Sequence, residues 1–152
     1  MNFFRNPGDF LHVFQKKEGS LLVFTNGCFD ILHVGHVRTL EASRTLGSFL
    51  VVGLNSDSSV RRIKGPGRPI NKESDRAEML LALKCVDAVV FFDEDTPYEL
   101  IKTIRPDVLT KGGDYTKSDI IGGDMVESWG GKVAVIPYVE GYSTTELITS
   151  FS

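Results

Sequence analysis

The chain has 152 residues, enough for one domain to bury a core without disulfide or metal staples. Its 41% hydrophobic and 24% charged residues are ordinary globular usage, which excludes collagen-like, mucin-like and disordered chains. A net charge of −3 with a pI near 5.6 argues against a protein that coats nucleic acid, yet leaves room for a small anion held by local cations.

No apolar run approaches the ~18–20 residues of a membrane helix. Met1 to Phe10 has neither the basic stretch nor the apolar block of a signal peptide. Cys28 and Cys85 form no C-x-x-C pair and no disulfide framework. The expectation is a reduced, cytoplasmic protein without nucleic-acid or membrane partners. It is read as one domain over 1–152, with residues 1–20 as a helical extension.

In chain order, Asp9 to Lys17 carries Phe10, Leu11, Val13 and Phe14 at helical spacing. Leu21 to Phe24 is a continuous apolar run, the mark of a strand buried on both faces, and Asn26-Gly27 ends it. A helical stripe through Val37, Leu40, Ala42 and Leu46 closes at Gly47, and Phe49 to Leu54 is the second strand. Ser58 to Asn71 reads as a polar loop with one helical turn at most. Ser74 is expected to cap the next helix, through Ala77 to Leu83, and Val86 to Phe92 is the third strand. Thr96-Pro97 with Glu99 predicts a helix start with Thr96 as cap, running to about Arg105. Val108 to Thr110 is the fourth strand, Ile120 to Trp129 a helix, Val133 to Ile136 the fifth strand, and a last helix opens near Ser143. Buried strands alternating with helices predict an α/β fold: a five-stranded parallel sheet with helices on both faces.

In such sheets ligands sit beyond the carboxyl ends of the strands, where strand order reverses. Four segments with unusual composition fall in those loops. Thr25 to His36 places His33 and His36, as H-x-G-H, where a buried strand hands over to a helix. A helix start attracts phosphate, and imidazoles can donate to its oxygens. A metal pair or two unrelated surface histidines are the other readings. Ser143-Thr144-Thr145 puts three hydroxyls where one would cap, so a second phosphate cradle stands beside an ordinary cap. Arg61, Arg62, Lys64 and Arg68 form a basic cluster that reads equally as a solvated charge run or a mobile arm over phosphates. In Lys111-Gly112-Gly113-Asp114-Tyr115, paired glycines allow a ligand to approach the backbone and Asp114 could accept from sugar hydroxyls; a tight turn is the bland alternative.

This combination resembles the H-x-G-H nucleotidyltransferase superfamily, the cytidylyltransferase-like proteins, over Leu21 to about Ile148. Thr25 to Asp30, Asn55-Ser56-Asp57, Arg68 to Asn71, Asp95-Thr96-Pro97 and Lys111 to Tyr115 match its heptose 1-phosphate adenylyltransferase subgroup. Glycerol-3-phosphate cytidylyltransferases have arginine where Tyr138 stands and lack the K-G-G-D-Y match. The resemblance implies a Rossmann-like sheet of order 3-2-1-4-5. It also implies transfer of AMP from ATP to D-glycero-D-manno-heptose 1-phosphate, with pyrophosphate leaving. A sugar kinase often accompanies this domain; its absence here suggests the stand-alone form.

On this resemblance His33, His36 and Lys64 act at the reacting phosphates. Thr25, Asn26, Gly27, Phe29, Arg76, Gly112, Gly113, Asp114, Ser143, Thr144 and Thr145 hold the nucleotide, and Asp30, Asn55, Asp57 and Tyr115 face the sugar. Mg²⁺ accompanies ATP without a protein ligand set, and a dimer or larger homo-oligomer is implied. Two further readings are a related enzyme using glycerol phosphate or flavin mononucleotide, and a nucleotide-binding module without catalysis.

Overall fold

The computed structural model describes residues 2–113 and 115–137. Along the chain these form β1 (Phe3–Phe4), α1 (Pro7–Val13), β2 (Leu22–Gly27), α2 (Val34–Arg44), β3 (Phe49–Asn55), α3 (Asp57–Lys64) and α4 (Glu73–Leu81). There follow β4 (Ala88–Phe92), α5 (Tyr98–Ile104), β5 (Val108–Gly112), a 3-10 turn at Lys117–Asp119, α6 (Gly123–Ser128) and β6 (Lys132–Ile136). The described strands make one sheet of order β1-β4-β3-β2-β5-β6, with every neighbouring pair parallel. Strand order therefore reverses beside β2, between β3 on one side and β5 on the other.

Alternation along each strand divides the core into two layers. Leu22, Phe24, Val51, Val90 and Leu109 pack on one face with α1, α5 and α6, through Phe10, Ile101, Ile104 and Val126. Val23, Leu50, Val52, Leu54, Val89 and Val108 pack on the other with α2 and α4, through Leu40, Ala77 and Leu80. Both faces of the central strands are buried, which is why they read as continuous apolar runs.

Several expectations are corrected. The sheet has six described strands rather than five. The five expected ones keep their neighbours, and Phe3–Phe4 adds an edge strand beside β4. The first helix lies earlier, at Pro7–Val13, because Asn6 accepts from the Asp9 amide and Pro7 sits in the first turn. The polar stretch after β3 is no loop at its start: Ser56 accepts from the Ser59 amide and caps the eight-residue α3. Lys72, not Ser74, is the N-cap of α4 and makes no side-chain cap bond. Pro97, not Thr96, stands at the cap position of α5. The helix expected over Ile120 to Trp129 is present but shorter, as α6, with the 3-10 turn at Lys117–Asp119 before it. The final helix expected near Ser143 lies outside the described residues.

Candidate active site

The strand ends around the reversal open into a cleft of about 620 Å³, lined among others by Asn26, Phe29, His33, His36, Lys64, Lys111 and Tyr115. A second, apolar groove of about 430 Å³ lies at the opposite end of the sheet, against Phe10, Phe14 and Phe49. Of these two, only the first is lined by residues of the Thr25–His36, basic and Lys111–Tyr115 segments.

His33 and His36 build the start of α2 together. The Nδ1 atom of His33 accepts from the His36 amide, and Nδ1 of His36 accepts from the His33 amide, both at 3.3 Å. Two imidazoles thus take the parts usually played by Ser and Glu in a capping box. With each Nδ1 used as an acceptor, the proton of a neutral ring belongs on Nε2. The rings stack at 3.7 Å between centroids, and both residues line the cleft. Burial, then the charges of His33 and Lys64, push His36 down to about 4, which keeps it neutral at pH 7. Phe29 packs edge-on against His36 at 5.1 Å. Its φ of +47° is the left-handed region, and its ring lies where a Cβ on Gly27 would stand, 2.9 Å from Phe29 Cε2.

Lys64 ends α3 and lines the cleft as expected, on a helix rather than a loop. Two other cations of its cluster are engaged elsewhere. Arg62 pairs with Asp95 at 3.0 Å, and Arg68 with the buried Asp30 at 2.8 Å.

The structure brings some sequence-predicted ligands to the cleft only as its framework. Arg76 is fully buried and does not line the cleft. Its guanidinium donates to the carbonyls of Asn71, Cys28 and Asn55 and to the Asp57 carboxylate, at 2.7–2.9 Å. It therefore joins three strand-end segments and leaves no fork for a triphosphate. Asp57, expected at the sugar, is its partner and also stays out of the cleft lining. Asp30 lies at the cleft but is spent on the Arg68 side chain and the amides of Ile70 and Asn71. Burial would raise its carboxyl, but those bonds outweigh it and hold it below the ordinary value. Asn55 donates to Ser59 through its side chain. The Thr25 hydroxyl donates to the Thr110 carbonyl, and the Thr110 hydroxyl meets Ser43 at 2.8 Å, a polar staple between β2, β5 and α2.

Gly112 and Gly113 do line the cleft, and each has a packing reason as well. A Cβ on Gly112 would stand 2.8 Å from Thr39 Cγ2, and Gly113 has φ +124°. Tyr115 lies exposed at the rim. Asp114, Ser143, Thr144 and Thr145 fall outside the described residues. Sequence reasoning names Lys111 only as the first letter of its motif, yet it is half-buried in the cleft wall. The signal available was its place at the carboxyl end of a buried strand.

A family model described as cytidylyltransferase-like matches residues 24–150. The chain belongs to the cytidylyltransferase-like family. It is accordingly a nucleotidyltransferase, as its H-x-G-H cleft leads one to expect. The bifunctional protein HldE of Syntrophotalea carbinolica is 59% identical to this cytidylyltransferase-like chain over 134 residues, 88% of this chain and 27% of that protein. HldE of Methylobacillus flagellatus is 58% identical over 133 residues, with the same 88% and 27% coverage. The chain thus spans about a quarter of the length of these relatives. A lipopolysaccharide core biosynthesis protein from Thermoplasma volcanium superposes with a TM-score of 0.65 at 28% identity, over 82% of this chain and 100% of that one. A pantoate-beta-alanine ligase from Francisella tularensis shares the fold, with a TM-score of 0.67 at 13% identity over 90% of this chain and 67% of that one.

Proposed function

We propose that this cytidylyltransferase-like domain transfers AMP from ATP to D-glycero-D-manno-heptose 1-phosphate, giving ADP-heptose and pyrophosphate. The observation that carries the reading is the reciprocally capped His33–His36 pair in a cationic cleft at the strand reversal. The high identity to the HldE proteins over 88% of the chain supports the choice of acceptor. A phosphate oxygen of the sugar forms a bond to the α-phosphorus of ATP. The bond from that phosphorus to the oxygen bridging towards the β-phosphate breaks, and pyrophosphate leaves with the electron pair. The nucleophile is already an anion, so the protein needs to position and neutralise rather than deprotonate. His33 and His36 supply N–H donors where the phosphorus becomes five-coordinate, and Lys64 supplies charge. Asn26, Gly27 and Phe29 border the nucleotide, and the hydroxyls of Ser143, Thr144 and Thr145 hold its outer phosphates.

No three His, Cys, Asp or Glu side chains gather into a metal site among the described residues. Asp30 and Asp57 are committed to arginines. The described donor set does not fit a protein-held divalent ion, and no step assigned to this chain runs through the Mg²⁺ that accompanies ATP. No described helix is long and apolar enough to cross a membrane, and the proposed setting is the cytoplasm, where ATP and sugar phosphates meet. A homo-oligomer is proposed with it, to be checked by light scattering. The product would serve lipopolysaccharide or a related glycan.

Pyrophosphate release is the test, with ATP, GTP, CTP and UTP each paired with the heptose 1-phosphate, glycerol 3-phosphate and flavin mononucleotide. ATP with the heptose phosphate should give the highest kcat/KM. Turnover only with another acceptor, or ATP binding without turnover on any, would overturn the reading.

A further inference from the structure

Lys111 closes β5 on the far side of the histidines from Lys64, which follows β3; β2, which leads into the histidine pair, lies between. The histidine pair is therefore flanked by an ammonium on each side. Lys64 is exposed, whereas Lys111 is half-buried. Among the described residues no carboxylate forms an ion pair with Lys111. Its nearest recorded partner is the Tyr115 ring, 5.7 Å from the ammonium. A half-buried cation without an anion is unfavourable unless something else supplies the charge. The described carboxylates that line the cleft do not: Asp30 is held by Arg68, and Asp95 by Arg62.

We propose that Lys111 is a phosphate-binding residue of the cleft, its ammonium completed by a phosphoryl group of a bound substrate. The inference rests on the proposed transfer reaction, and it adds a ligand on the wall opposite Lys64. Burial already pushes the Lys111 ammonium below the ordinary lysine value; Cys28 opposes this and the Lys64 charge adds to it. An arriving phosphate dianion would reverse that shift and fix the ammonium in its charged form. The phosphoryl group can come from the nucleotide or from the sugar phosphate, and the two are told apart by measurement.

The test compares wild type with Lys111→Met by calorimetric titration of ATP, of inorganic pyrophosphate and of the heptose 1-phosphate, each alone. Losing one charge-assisted contact should weaken at least one of them about 10–100-fold. Weakening of ATP and pyrophosphate assigns Lys111 to the triphosphate, and weakening of the sugar phosphate alone assigns it to the acceptor. The thermal midpoint without ligand should stay level or rise, since the substitution removes a poorly solvated charge that no described carboxylate pairs. Unchanged affinity for all three ligands would overturn the proposal, as would a lowered midpoint together with an equal loss for every ligand, which marks a structural lysine. Lys111→Gln, which keeps a polar end, is read in the same way should the methionine variant fold poorly. If wild type releases no pyrophosphate with the heptose phosphate, the reaction assignment fails, while the ATP and pyrophosphate titrations still decide Lys111.

Discussion

Replacing Arg76 with methionine separates a framework arginine from a nucleotide ligand. The side chain is fully buried and its donors go to three carbonyls and one carboxylate, all of this chain. Methionine fills much of the space and leaves all four acceptors without that donor. Removing one partner of a buried ion pair costs about 3–5 kcal/mol, and each orphaned buried acceptor about 1–3 kcal/mol. These costs overlap. Asp57, with its side chain 31% exposed, also regains water, so a total near the upper end of the first range, about 5 kcal/mol, is expected. At about 2–4 °C per kcal/mol for a chain of this size, the midpoint should fall by ~10–20 °C. Arg76→Lys keeps the charge but loses the fork, and should fall in between. Scanning calorimetry reads the midpoint, and steady-state kinetics well below it read the KM for ATP. A midpoint within ~3 °C of wild type combined with a strongly raised KM for ATP would refute the framework role.

Other outcomes follow from the same geometry. His33→Asn and His36→Gln keep residues that can cap at their positions but displace the Nε2–H donors, so each should lower kcat by about 10²–10³-fold with little change in midpoint. Near-normal kcat in both would place catalysis elsewhere. His36 is pushed down to about 4 from 6.5, so the folded state binds fewer protons than the unfolded one in that window. Its contribution is therefore complete above pH 6.5 and fades as pH falls towards 4; about 3 kcal/mol should be lost, and urea titrations should show His36→Gln flattening that slope. Lys64→Ala should depress turnover with little loss of stability, since an exposed lysine contributes little to folding; unchanged kinetics would return its cluster to a solvated charge run. Gly27→Ala should push the Phe29 ring away from His36, lowering kcat/KM for ATP while costing about 1–3 kcal/mol of overpacking in urea titrations.

The central strands are legible because both faces of β2, β3 and β4 are buried, which writes unbroken apolar runs into the chain. Phe3–Phe4 is too short to show any period, so the edge strand escapes a reading by pattern. α3 is hidden for another reason: most of its residues are polar, and the glycines and prolines after Lys64 suggest a loop over the whole segment. The histidine pair is visible as a motif, but its reciprocal capping depends on geometry at the start of α2. Asp30 and Arg76, which the resemblance implies as ligands, show where tertiary contacts go unread in the sequence. A carboxylate and a guanidinium beside a ligand cleft look like ligands, yet their partners are Arg68 to Asn71 and Cys28 to Asp57, contacts that no local spacing announces. Lys111 is the converse, a residue whose interest comes from having no carboxylate partner among the described residues.

The two-residue strand at Phe3–Phe4 matters beyond its size. It pairs along Val89 and Val90 of β4, whose sequence Ala-Val-Val-Phe-Phe is wholly apolar and buried. Such a segment, uncharged and strongly β-prone, is a template for intermolecular strand addition once its open side is bare. A two-residue edge strand is too short to extend the sheet further, and Arg5 beside it stacks on Phe91 and pairs with Glu73. Phe3–Phe4 and Arg5 thus cover that side of β4, and deleting residues 2–6 should lower solubility before it disturbs the cleft.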